Sequence, residues 1–168
     1  MTCSTSEIIG NRFEAINEIL KRHQHQVSYG NLRSELTHWD TDGGTDNLAI
    51  VYEVPGGSTN QINITYHYQV QKYCYIGNDS INECTTSSID EVTDMVHRLV
   101  EEIPAIRHRR LLEDIDRWAK QGMQQRDLFQ QITKLLQIED LRGGTITMPE
   151  MKAGIAYILQ HYRSAVQY

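Results

Sequence analysis

Apolar residues recur at helical spacing near the start of the chain, at Ile9, Phe13, Ile16 and Leu20, and the period then changes to two. The first stretch predicts a helix that opens at Ser4-Thr5-Ser6-Glu7, where a hydroxyl and a carboxylate stand at capping-box spacing. It closes near His23, with Lys21, Arg22 and His23 complementing the negative end of the helix dipole. Two alternating runs follow. Leu48, Ile50, Tyr52 and Val54 form one, and Ile62, Ile64, Tyr66, Tyr68 and Val70 the other. The turn formers Pro55-Gly56-Gly57-Ser58-Thr59-Asn60 lie between them, which predicts an antiparallel hairpin with one apolar face. A weaker strand over 31–39, with Leu32 and Leu36 on one side, precedes the pair across a loop at 40–46. Residues 72–77 form a fourth strand if the chain bends after Val70.

The helical period returns at Ser88-Ile89-Asp90-Glu91, a second capping-box spacing. Ile89, Val92, Val96, Leu99, Val100 and Ile103 then predict an amphipathic helix on the apolar face of the sheet, ending at Pro104 because proline has no N–H to donate. Leu111, Leu112, Ile115, Trp118 and Ala119 predict a separate helix over 106–120, stopped by Gly122. Leu128, Phe129, Ile132, Leu135 and Leu136 define another helix, and Thr147-Met148-Pro149-Glu150 opens a last one through Met151, Ile155, Ile158, Leu159 and Tyr162. The expected class is α+β: an N-terminal helix, a three- or four-stranded antiparallel sheet with a packed helix, and a C-terminal helical region. Residues 1–103 would form the sheet-containing part, and 104–168 a three-helix part packed with it as one unit.

Composition narrows the function classes. With 16 Lys and Arg against 22 Asp and Glu among 168 residues, the net charge of -6 disfavours phosphate backbones and acidic membranes. No apolar run approaches the roughly 20 residues that span a bilayer. The N-terminus has no cationic cluster followed by an apolar core, so a cytoplasmic location is expected. Cys3, Cys74 and Cys84 are odd in number and lack C-x-x-C spacing, which predicts free thiols.

Candidate chemistry is sparse. Asp40, Asp42 and Asp46 could converge on a hard cation, although Asp and Gly are also ordinary residues of a strand connection. The seven histidines include no His-Glu-x-x-His, and there is no nucleophile elbow and no phosphate-binding glycine loop. Cys74 and His67, on the same strand, face opposite sides of the sheet by parity and so do not cooperate as nucleophile and base. Arg107, Arg109 and Arg110 form the one local basic patch, followed closely by Glu113, Asp114 and Asp116. The best recognition surface in the pattern is the row His67, Gln69, Gln71, Tyr73 and Tyr75, uncharged and aromatic toward one end.

Two resemblances are partial. Numbered from Glu139, a twelve-residue loop has Gly144, Ile146 and Glu150 where an EF-hand has its sixth, eighth and twelfth residues, but Leu141 and Gly143 replace two of its oxygen ligands. A plain helical hairpin explains the same residues. The order helix, three strands, helix over about 6–103 is similar to a double-stranded RNA binding domain; Ile89-Asp90-Glu91 stands where that family places cations, so the resemblance implies little phosphate contact. The reading that follows is a non-catalytic interaction or regulatory protein, an adaptor, whose partner is another protein, with self-association open to it. The alternative is a small-ligand or metal-ion sensor, and nucleic-acid binding stands third. No cofactor is expected.

Overall fold

The computed structural model describes residues 12–40, 43–75, 83–137 and 146–163. Their order is helix α1 (Glu14–His23), a short 3-10 turn (Val27–Tyr29), strands β1 (Arg33–Trp39), β2 (Thr45–Glu53), β3 (Thr59–His67), β4 (Lys72–Tyr75) and β5 (Cys84–Thr86), then helices α2 (Ile89–Lys120), α3 (Gln125–Gln137) and α4 (Met148–His161). The class is α+β with an antiparallel sheet, as the periodicity predicts. The strand count is five, in the order β1-β2-β3-β4-β5. The fifth strand, Cys84–Thr86, is only three residues long and carries no apolar alternation, so no periodic signal announces it. The capping spacing at Ser4 lies outside the described residues.

The chain divides into two compact units: 1–52 with 59–102, and 53–58 with 103–168. In the first unit the apolar even-numbered residues Leu48, Ile50, Ile62 and Ile64 of the central strands are buried, at 0–1% exposure. α1 lies on that side. Its preceding residue Phe13 meets Tyr73 edge to face at 6.2 Å, and Asn17 accepts a hydrogen bond from Ser34 of β1. Val92, Val96 and Val100 of α2 are fully buried, and Tyr75 of β4 lies in the field of Glu91 and Arg98. The first turn of α2 is capped as its spacing predicts, with Ser88 Oγ accepting from Glu91 N.

Helix α2 does not stop at Pro104; it is one element of 32 residues with the proline inside. A helix-interior proline loses one backbone hydrogen bond and costs about 3 kcal/mol. Burial outweighs that loss here, because Ile103, Ile106, Arg107, Leu111 and Ile115 continue the inward stripe without a break.

In the second unit Leu111, Ile115, Leu128, Ile132, Ile146 and Ile158 form one buried cluster. α2 ends in a Schellman turn: Gly122, at φ 93°, donates to Ala119 O, and Met123 donates to Trp118 O. Glycine is favoured there because a side chain at that φ is strained. α4 opens with a complete capping box, Thr147 accepting from Glu150 N while the Glu150 carboxylate accepts from Thr147 N. Tyr157 and Tyr162 both donate to Asp116, tying α4 to α2, and these bonds with burial push the Tyr162 hydroxyl up to about 12.

Candidate functional site

In the sheet of the first unit, α1 and the 89–102 part of α2 lie on the even side of β2 and β3. The odd side is buried on β2 at Ala49 and Val51 and exposed on β1 and β3. On the odd side Arg33, Glu35 and Trp39 of β1 and Gln61 and Asn63 of β3 are exposed, Trp39 by 58%. The row is laced along and across the strands: Arg33 Nε sits 3.1 Å from Glu35, Gln61 donates to Asn63 at 2.7 Å, and Thr65 Oγ1 donates to Asn47 at 3.0 Å. The result is a polar surface on β1 and β3, with a tryptophan at one corner.

The expected recognition row over 67–75 is split by a turn. β3 ends at His67 and β4 begins at Lys72, with Gln71 in left-handed backbone at φ 54°. The register across the turn pairs Tyr66 with Tyr73 and Ile64 with Tyr75. Tyr73 is therefore on the helix-covered face and buried, and Tyr75 shares that face; Gln69 and Gln71 are exposed in the turn, and His67 alone of the five belongs to the odd side of β3. An alternating run cannot reveal a reversal that keeps the alternation going on both sides of it. The same turn corrects the parity of Cys74. It pairs with Thr65, on the His67 face. Its thiol is nonetheless pushed up by burial and by Glu83, the reverse of nucleophile activation.

The basic patch also divides. Arg107 is fully buried in an ion pair with Glu150, while Arg109 and Arg110 are exposed and Arg110 pairs with Glu113 at 3.3 Å. Glu150, the EF-hand-like twelfth position, is committed to Arg107 and to its own helix cap; the preceding part of that loop lies outside the described residues.

The most organised polar cluster sits at the end of the sheet where β1 turns into β2. Asp46 is fully buried. Its Oδ1 is 2.7 Å from His38 Nδ1, its Oδ2 accepts from the Tyr68 hydroxyl at 2.6 Å, and Arg12 Nε lies 3.4 Å from the same oxygen. The Arg12 guanidinium stacks 3.8 Å over the Tyr66 ring, a cation–π contact that holds it in place. His38 Nε2 reaches the exposed Asp40 at 2.7 Å. With a carboxylate at each ring nitrogen, Asp46 first and then Asp40, His38 is held above the usual imidazole range.

This arrangement bears on the cation reading of Asp40 and Asp46. Both Asp46 oxygens already accept donors and a guanidinium lies beside them, so the group has little left to offer a metal; Asp42 lies outside the described residues. Among the described residues no three His, Cys, Asp or Glu side chains converge as a metal set. Sequence spacing does not single out His38, Tyr68 or Arg12, because their meeting depends on strand register and on the residues that flank β2 and β3. Just before β2, a Cβ on Gly43 would collide with the Gln69 side chain. In the second unit a depression of about 590 Å³ runs along α3 beside Arg126, Phe129, Gln130, Thr133 and Lys134.

The fold defines an α+β protein with a five-stranded antiparallel sheet. No protein family, curated protein or solved structure matches the chain. Among the described residues no helix is long and apolar enough to cross a membrane.

Proposed function

We propose that the protein is a non-catalytic interaction module, an adaptor or regulatory protein, that binds another protein on the polar surface of β1 and β3. The observation that carries this reading is the composition of that surface: exposed, hydrogen-bonding side chains in fixed register with Trp39 at its corner. Fixed polar groups orient a partner, and a tryptophan supplies contact area at low entropy cost. The polar cluster around Asp46 supports the same role by stiffening one end of the sheet, since its groups are spent on one another rather than aimed at a substrate. With Arg107 buried, the basic patch is reduced, which weighs against a nucleic-acid partner.

The test is affinity capture from the host lysate with wild type and a Gln61→Arg, Asn63→Arg variant, both positions being exposed on β3. A specific protein held by wild type and lost by an equally stable variant supports the reading. Equal capture by both moves the interface elsewhere, and capture of nothing by either counts against an adaptor role.

A further inference from the structure

We infer that β1 pairs antiparallel with the β1 of a second copy of this chain, about a two-fold axis through Leu36. β1 is an outer strand of the sheet. At seven residues it is the longer of the two edges, and it contains no proline. Natural edge strands are usually short or interrupted to prevent such pairing. Two of the exposed large apolar side chains, Leu36 at 40% and Trp39 at 58%, are on it.

The backbone directions follow from the β2–β3 hairpin. Val54 N donates to Ser58 O at one end, and Tyr68 N donates to Gly44 O at the other, so the even-numbered peptide groups of β2 turn toward β3 and the odd ones toward β1. β1 pairs Glu35 with Ala49 and Thr37 with Asn47. Its odd residues therefore spend their N–H and C=O groups on β2, and those of Ser34, Leu36 and His38 point to the open edge.

A two-fold at Leu36 uses those three. It sets Leu36 opposite its own copy and Ser34 opposite His38, all even positions, which is what a ladder requires. The half-exposed leucines then cover each other. In the intervening, closer pairs Glu35 stands opposite Thr37, and Arg33 stands opposite Trp39, placing a guanidinium against an indole. No like charges face each other directly. A strand of this length buries less than a standard interface, so the dimer is weak and concentration-dependent. The inference does not rest on the adaptor reading: the edge can pair whether or not a partner sits on the polar surface.

Sedimentation equilibrium of the full chain over about a hundredfold concentration range tests it. The wild-type mass should rise from 19.4 kDa toward twice that value. Leu36→Lys and Leu36→Glu should each stay monomeric, while their equimolar mixture associates, because residue 36 faces itself only in this register. A wild type that stays monomeric, variants that dimerise like wild type, or a mixture no more associated than its components would overturn the proposal. Should a variant not fold, amide exchange on wild type decides. The Ser34, Leu36 and His38 amides should slow with concentration while Arg33, Glu35 and Thr37 remain protected throughout, and concentration-independent exchange at Leu36 refutes the pairing.

Discussion

Arg107 on α2 holds Glu150 on α4 with two parallel hydrogen bonds of 3.0 Å, one from Nε and one from Nη2, across 43 positions of sequence. The third guanidinium nitrogen donates to the carbonyl of Glu53, and Glu150 also closes its own helix cap by accepting from Thr147 N at 2.8 Å. One buried ion pair thus fixes the start of α4, the middle of α2 and the turn after β2 to one another within the second unit. Two charges can be buried together only because nearly every donor and acceptor is used.

Breaking that pair from one side should be costly. Glu150→Ala is expected to destabilise the protein by about 3–5 kcal/mol, since it strands a buried guanidinium and removes half of the cap. A double Arg107→Met, Glu150→Met variant should lose less than the sum of its single variants. Urea denaturation of the wild type, Glu150→Ala, the two single methionine variants and the double variant measures both. Additive losses would mean that the two side chains do not act as a pair.

Stability should fall with rising pH through the titration of His38. Its folded pKa is raised by Asp46 and Asp40. The contribution is therefore fully present below the unfolded value of about 6.5 and is lost as pH climbs through the higher folded value. Imidazole resonances followed by NMR should place His38 above its unfolded value of about 6.5, and the urea midpoint should decline over the same interval. His38→Gln should flatten that part of the profile. An unshifted His38, or a variant with an unchanged profile, would contradict the two-carboxylate geometry.

Pro104→Ala should stabilise the protein. The replacement restores an N–H able to donate to Val100 O inside the continuous helix, and it removes the steric conflict of the ring. The unfolded chain regains about 0.4–1 kcal/mol of freedom, so the net gain should be roughly 2 kcal/mol with helicity by circular dichroism unchanged or higher. A loss of stability would show that the helix bends at this position in a way alanine cannot follow.

The local pattern of the chain was enough to read the α+β class, the β2–β3 hairpin, the end of α1 at His23, the caps at Ser88 and Thr147 and the stop at Gly122. Each of these depends on residues within a few positions of one another, and a period of two or 3.6 expresses them directly. Pro104 misled the reading because a local penalty of about 3 kcal/mol was set against burial that only packing supplies. The turn at 68–71 is hidden by alternation that continues through it, and it puts Tyr73 and Tyr75 on the helix-covered face instead of beside His67. Arg107 stands in a local basic patch by sequence, and its buried partner, Glu150, lies 43 residues away. The cluster of Arg12, His38, Asp46 and Tyr68 is equally invisible in the sequence, its members coming from two strands, the turn after β3 and the residues before α1. What the sequence determined alone was where backbone groups are satisfied locally. Which polar side chains are buried together, and which sheet face the helices cover, was decided by tertiary structure, because desolvation and pairing depend on neighbours that only folding brings near.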